Sequence, residues 1–410
     1  METGRADTIA TDYEVAVIGA GPAGLATACA MAHSGIKTVL MAAPHRPAGN
    51  RPDTRTAALF KPSLKLLDLI GAWDGATGLS APMRAIRLVD DTEGVMRAPE
   101  VLFDAREIGE DGFGYNVPQT ALTASLSECA HELEHLTVIE TEGVTSVEPD
   151  ETCVRITSRE RQTLTAQLVA AADGRDSIAR EGAGIGTRTH GYEQTAVTCT
   201  FKHSRPHDAV STEFHRRAGP CTVVPLPGNA SSLVWVERPA VAQRLYDLSD
   251  QQFMKTLERQ LRGLLGSISG LSPRAQFPLK AMTADTMGAN RVALIGEAAH
   301  VMPPIGAQGL NLSFRDAATL AGLVRDAKQA GQPLGGPDVL EAYNSKRGFD
   351  VRSRGLMVDI LNRALTTNIA PLQLARGLGL HAIKALPPLK HALMREGMQP
   401  GWALPDLMKS

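Results

Sequence analysis

Apolar residues along this chain fall into two patterns. In YEVAVIG (13–19), IKTVLMA (36–42), LVAAADG (168–174) and RVALIG (291–296) they form short, almost unbroken runs that end at glycine, Asp-Gly or small residues. Runs of that length and composition predict buried β-strands. Other segments carry helical spacing. PAGLATACAMAHSG (22–35) predicts a helix of small residues that stops at Gly35. From Gln119 to about Leu136, the residues Leu122, Leu126, Cys129, Leu133 and Leu136 recur on one face and predict a second helix. LNLSFRDAATLAGLV (310–324) predicts a third, amphipathic one.

Residues 181–281 read differently. TAVTCTFKH (195–203), VSTEFHRR (210–217), CTVVPLP (221–227) and SSLVWVER (231–238) are short β-rich runs, followed by the helical DQQFMKTLERQLRGLL (250–265). They predict an antiparallel sheet. Two kinds of domain therefore share the chain, and 410 residues leave ample length for both cores.

Composition changes this picture little. The chain is 43% hydrophobic and 21% charged, with a net charge of −2, which implies no nucleic-acid partner. Cys29, Cys129, Cys153, Cys199 and Cys221 form no CxxC pair, and their odd number argues against a disulfide framework. Small buried thiols in a reducing, cytoplasmic setting fit. Val15 to Ala32 is uncharged and as long as a membrane span, but three glycines and a proline interrupt it. Asp7, Asp12 and Glu14 precede it rather than a basic segment, so it does not read as a signal peptide.

Between the first strand and the first helix lies Gly19-Ala20-Gly21-Pro22-Ala23-Gly24, a GxGxxG in its proper context. Its glycines permit a tight turn, close approach to a pyrophosphate and close helix–strand packing, while the helix N-terminus offers N–H donors to phosphate. An acid for the ribose is due about 20 residues on, but Ala42-Ala43-Pro44 stands there. The motif does not separate FAD from NAD. Two other patterns point nowhere. HELEH (131–135) matches a zinc-protease signature, but His131 and His135 fall opposite the apolar face and no third ligand is evident, so no metal site is expected. GAGIG (182–186) follows a polar segment, not a strand, and reads as a loop.

The most unusual stretch is GEAAHVMPPIGAQGLN (296–311), which places an acid, two prolines and a run of glycines between a buried strand and a helix. A plain connector needs neither the acid nor the prolines.

LVAAADGRDSIAR (168–180) resembles the Asp-Gly motif of the single-component FAD hydroxylases of aromatic compounds, and GEAAHVMPP (296–304) resembles their Gly-Asp motif. Within that class, DTRTAAL (53–59), CTVVPLPGNASSLVW (221–235), PPIGAQGLNLSFRDA (303–317) and LMREGMQPG (393–401) resemble the ubiquinone-biosynthesis hydroxylases, para-hydroxybenzoate hydroxylase-like enzymes. The likeness covers nearly the whole chain. It departs at Ala42, in place of the ribose acid, and at Glu297, in place of the usual aspartate.

The resemblance implies an α/β fold: a Rossmann-like FAD-binding domain built from 1–75, 99–180 and 282–350, an antiparallel substrate domain from 76–98 and 181–281, and a C-terminal helical segment, 351–410. It implies cofactor contacts by Gly19, Gly21, Gly24, Arg55, Gln119, Asp173, Glu297, Gly309, Leu310 and Asn311, with Asp173 acting through Arg180. Glu297 would hydrogen-bond the ribityl chain. Pro303 and Pro304 would wall the flavin near its C4a edge, and Gly306 to Gly309 would let the backbone approach the pyrimidine end. A helix starting near Leu310 and Asn311 would aim its dipole at N1 and O2. His300 reads as structural, though the sequence supplies no partner for it.

The implied reaction is hydroxylation of a polyprenylated phenol in ubiquinone biosynthesis through a flavin C4a-hydroperoxide, using O2 and an external reductant, NAD(P)H or a redox protein. No base for the phenol is evident. The alternatives are a hydroxylase of small soluble aromatics and a catalytically weak flavoprotein scaffold subunit. A halogenase does not fit, because WxWxIP is absent. Residues 351–410 carry eight basic residues and three acidic on a chain otherwise net negative, with recurrent Leu, Ile and Met broken by Pro371 and Pro387-Pro388. Short basic amphipathic helices suit the surface of an inner membrane or other quinone-biosynthesis proteins, or they cover the FAD domain. Oligomeric state is not legible.

Overall fold

The computed structural model describes residues 12–43, 53–92, 99–366, 379, 381–398 and 404–409. The first of three sheets runs β8 (Leu136–Glu140), β2 (Thr38–Ala42), β1 (Tyr13–Ile18), β11 (Thr163–Ala171), β19 (Val292–Leu294), all parallel, then β18 (Gly288–Ala289). The hairpin β9 (Val144–Pro149) and β10 (Val154–Ser158) hangs antiparallel from β11. The apolar runs are unbroken because these strands are covered on both faces. Val15, Val39, Val169 and Val292 are wholly buried. Helix α1 (Pro22–His33) crosses from β1 to β2 and packs against α4 (Gln119–Glu132) and α8 (Gln308–Gln329).

The second sheet runs β20 (His300–Val301), β17 (Ala275–Ala284), β12 (Thr187–His203), β15 (Ala230–Glu237), β14 (Cys221–Leu226), β13 (Val210–His215), β5 (Ala85–Asp90), β6 (Val101–Asp104), with β16 (Ile268–Ser269) beside β12. Every pair is antiparallel except β13 with β5. Its strands alternate. Val197, Cys199, Phe201, Leu233 and Trp235 point into a core with residues of α6 (Pro239–Asp247) and α7 (Asp250–Gln260), while Ala196, Thr198, Ser232 and Val234 line a cavity on the other face. The third sheet, β3 (Thr56–Phe60), β7 (Gly114–Pro118) and β4 (Ala81–Met83), brings Thr56 to that cavity, while α2 (Lys61–Leu69) packs against β3 and α3 (Asp74–Thr77) against α4.

Several expected boundaries move. Strand β6 pairs with β5, so residues 101–104 lie in the second sheet, not with the FAD unit. Residues 300–301 join it too, because Met282 pairs with Val301 and Thr283 with His300. Thus the loop after β19 is tied to both main sheets. The helix α9 (Pro337–Thr366) runs straight through the expected break at 350. Helix α4 stops at Glu132 because Leu136 begins a strand, and α8 begins at Gln308, two residues before Leu310. The C-terminal region adds α10 (Pro387–Met398). Pro371 and the end of LMREGMQPG lie outside the described residues.

Candidate active site

The glycine turn divides its labour. Gly19 has φ +104°, and a Cβ there would stand 2.4 Å from the Ala172 carbonyl oxygen. A Cβ on Gly24 would stand 1.9 Å from the Gly19 carbonyl oxygen. These two positions serve packing. A Cβ on Gly21 would meet nothing within 4 Å, so that glycine faces open space at the start of α1, where no side chain caps the helix. Open space before an uncapped N-terminus is what a pyrophosphate requires. For the ribose, the end of β2 offers Ala42 and no acid. Glu140 of β8 stands in register beside Ala42, and Pro44 lies outside the described residues.

Asp173 ends β11's apolar run and folds the turn that follows. It accepts from Ser177 Oγ at 2.5 Å and from the Ala179 N–H at 3.1 Å. The expected link from Asp173 to Arg180 does not form, because Asp173's hydrogen bonds go to its own turn. Arg180 instead donates to the carbonyls of Ala298 at 2.9 Å and Arg175 at 2.8 Å, binding this turn to the loop after β19.

That loop meets a cavity of about 240 Å³ where the three sheets converge. Val301, Met302 and Pro304 line one side, Thr198, Val234 and Leu279 of the second sheet the other, and Arg55, Arg175, Gln119 and Glu297 its charged and polar part. Of the two prolines, Pro304 reaches the cavity, whereas Pro303 is buried and does not line it. Glu297 faces the cavity, more than half exposed, and pairs with Arg175 at 3.0 Å. Arg175 had no expected role, although it directly follows the Asp-Gly turn. Arg55 pairs with Asp53 at 2.7 Å. Its hydrogen bond to Asp53 raises the guanidinium's pKa against the effect of burial, with the charge of Glu297 adding to the rise, and the same bond lowers Asp53. Gln119, first residue of α4, donates its backbone N–H to the Arg55 carbonyl at 2.9 Å, and its buried Oε1 has no partner.

The start of α8 is open to a ligand as well. Gly306 has φ +65° and Ala307 φ +53°, and no side chain caps the helix. A Cβ on Gly309 would meet nothing within 4 Å, and Leu310 beside it is half-buried. Asn311 spends its side chain on the protein. Its Nδ2 donates to the carbonyls of Ala58 and Ala307, and its Oδ1 accepts from the Phe60 N–H and Ser63 Oγ. All four amide positions are used, so the side chain fastens α8 to β3 and α2, and what this position offers a cofactor is the helix start itself.

His300 does have a partner. Its Nε2 donates to Oδ2 of Asp316 at 2.7 Å, and that oxygen also accepts the Gly296 N–H at 3.1 Å. The other Asp316 oxygen accepts from Arg347 Nε at 2.7 Å, and Arg347 continues to Asp350 at 2.5 Å. Arg315 joins at Asp350, and Arg354 reaches from Asp350 to Glu396 on α10. Pairing across 16 and 31 residues could not be read from the sequence. The two histidines of HELEH are exposed, at the end of α4 and in the turn after it.

The open space at Gly21 and Gly309, the two uncapped helix starts and the unpaired Gln119 Oε1 fit a dinucleotide whose flavin reaches the cavity. Comparison with known proteins agrees. A family model described as FAD binding domain matches residues 12–351. The chain is 36% identical to ubiquinone hydroxylase UbiL of Rhodospirillum rubrum, over 97% of this chain and 91% of the relative. It is 28% identical to 3-demethoxyubiquinol 3-hydroxylase of Escherichia coli, over 93% and 97%. Among solved structures it is similar in fold to p-nitrophenol 4-monooxygenase PnpA of Pseudomonas putida, with a TM-score of 0.74 and 20% identity, over 94% and 97%.

Proposed function

The chain belongs to the FAD-binding domain family and to the ubiquinone hydroxylases within it, and from that premise we propose that its FAD-dependent ring hydroxylation acts on a polyprenylated phenol in ubiquinone biosynthesis. The observation that carries the reading is the cavity between the loop after β19 and the second sheet, apolar on both walls and polar where the cofactor would enter. One oxygen atom of O2 goes to the ring and the other leaves as water. The two electrons come from an external reductant, either NAD(P)H or a redox protein. FAD, when bound, supplies the oxygen activation.

The chain's own residues bind, orient and dry the site. The starts of α1 and α8 favour negative charge on the pyrophosphate and the ring. Glu297, Arg55, Arg175 and Gln119 hold the cofactor's polar parts. Val301, Met302 and Pro304 exclude water beside the substrate, which favours oxygen transfer over loss as hydrogen peroxide.

The substrate's prenyl tail calls for a lipid surface, and α9 and α10 offer one. Leu356, Met357 and Ile360 on α9 and Leu389 and Leu393 on α10 are exposed, with Arg352, Lys384 and Arg395 also exposed. This composition supports peripheral docking on anionic lipid, on the cytoplasmic side of the inner membrane. No described helix is long and apolar enough to cross a membrane. The decisive experiment is the profile of quinone intermediates in cells lacking this protein. The accumulating compound names the ring position, and an unchanged profile would overturn the reading.

A further inference from the structure

Thr198 occupies the middle of β12, opposite Val234 on β15 and Ala275 on β17. Strand alternation turns it away from Val197 and Cys199, which enter the core with α6 and α7, and toward the cavity beside the loop after β19. The residue is 9% exposed, and its hydroxyl is buried without a hydrogen-bond partner. A buried hydroxyl left unpaired is costly and calls for an explanation.

The surroundings narrow what could pair with it. Val234, Leu279, Val301 and Met302 make the nearby lining apolar. Of the other hydroxyls there, Thr56 Oγ1 donates to Ser232 Oγ at 2.9 Å and Ser232 Oγ also accepts from Asn116 Nδ2 at 3.2 Å, which ties both to the third sheet, while Thr54 stands beside Arg55 at the polar end. Arg55 and Arg175 are already paired with Asp53 and Glu297, and Lys280, the other cation of the lining, is exposed on β17 in register with Gly191, away from the Thr198–Ala275 pair. The apolar lining beside the unpaired Thr198 hydroxyl suits a flat neutral ring bearing one hydroxyl.

We propose that Thr198 Oγ1 accepts a hydrogen bond from the ring hydroxyl of the phenol substrate and thereby fixes which ring carbon faces the cofactor. This rests on the aromatic-hydroxylase reading and adds to it a residue that selects substrate and position.

The test pairs a hydroxyl on the protein with a hydroxyl on the ligand. FAD-loaded wild type, Thr198→Val and Thr198→Ser are titrated with 2-geranylphenol and with its methyl ether, followed by the flavin absorbance. Wild type and Thr198→Ser should bind the phenol about 5- to 150-fold tighter than the ether, the range for one buried hydrogen-bonding group left unpaired. Thr198→Val should bind both equally. In a single turnover of dithionite-reduced holoenzyme with O2, wild type should give one ring isomer and Thr198→Val a mixture. Equal discrimination in wild type and Thr198→Val overturns the role of Thr198 while leaving the hydroxylase reading intact. Loss of FAD in Thr198→Val, with Thr198→Ser loaded normally, makes Thr198 a cofactor contact and also overturns it. A wild type that neither binds the phenol nor hydroxylates it overturns the functional reading itself, and this proposal with it.

Discussion

His300 and Asp316 meet at 2.7 Å, with side chains 1% and 0% exposed. Asp316 also takes the Gly296 N–H and the Arg347 guanidinium, so one carboxylate on α8 sets the shape of the loop that lines the cavity. Removing it should leave His300 buried without its acceptor and the Arg347 Nε unpaired, with Asp350 as the arginine's remaining carboxylate. Asp316→Ala should therefore destabilise the holoenzyme by about 3–5 kcal/mol, read by urea unfolding, and weaken FAD binding by disordering residues 296–301. A variant within 0.5 kcal/mol of wild type, roughly the effect of an ordinary surface change, would show that the pair is dispensable.

The same carboxylate gives a pH signature. Burial alone would raise its pKa, but His300 and Arg347 outweigh that and hold it below the usual carboxylate value. A depressed carboxyl contributes stability that is fully present above its unfolded value, about 3.9, and is lost as pH falls through its folded value. Unfolding free energy measured downward from about pH 4 should fall more steeply in wild type than in Asp316→Asn. Parallel curves would contradict this.

Gly21 and Gly24 should respond oppositely to alanine. Gly24→Ala drives a methyl into the Gly19 carbonyl, so the apoprotein itself should be destabilised. Gly21→Ala meets no protein atom, so the apoprotein should melt as wild type does, yet lose FAD because the methyl fills the pyrophosphate's place. Normal FAD affinity in Gly21→Ala would remove that turn from the site.

Glu297→Ala should weaken FAD affinity by about 1 kcal/mol, the lower end for a lost hydrogen-bonding group, because this side chain is half exposed and already paired with Arg175. Glu297→Asp should bind FAD better than the alanine variant. Fluorescence titration of apoprotein with FAD checks both, and identical affinities in all three proteins would exclude Glu297.

Asn311→Ala should cost about 1–3 kcal/mol of stability, since the Phe60 N–H and the Ala58 carbonyl lose their partner. Once loaded, its flavin spectrum should match wild type. A shifted spectrum would make the Asn311 side chain a flavin contact.

Membrane docking is best tested by Leu356→Glu with Ile360→Glu, followed by flotation with anionic liposomes. These two side chains are exposed, whereas Lys390 on α10 is held by Glu107 at 2.7 Å. Equal flotation of wild type and the double variant, or none by either, would rule out this face.

Some of this protein could be read from the sequence because the physics is local. A buried strand must be apolar throughout, a turn at φ +104° must be Gly19, and a phosphate must approach a helix start with no side chain in its way at Gly21. Those needs leave marks within a few neighbouring residues, and they set the FAD-binding unit, the Asp-Gly turn at 173 and the loop near Glu297 that lines the cavity. What the tertiary structure decided is pairing over distance. Asp316 chose His300 and Arg347, Glu297 chose Arg175, and Asn311 chose β3 and α2, although Asn311 carries the same motif signal as its neighbours. Nothing in one chain's order of residues ranks the possible partners of a buried charge or amide. The choice follows from which groups the packed sheets and helices bring within 3 Å once water has been excluded. Thr198 shows the same limit, since its hydroxyl is left unpaired only once β12 is packed into the sheet that borders the cavity.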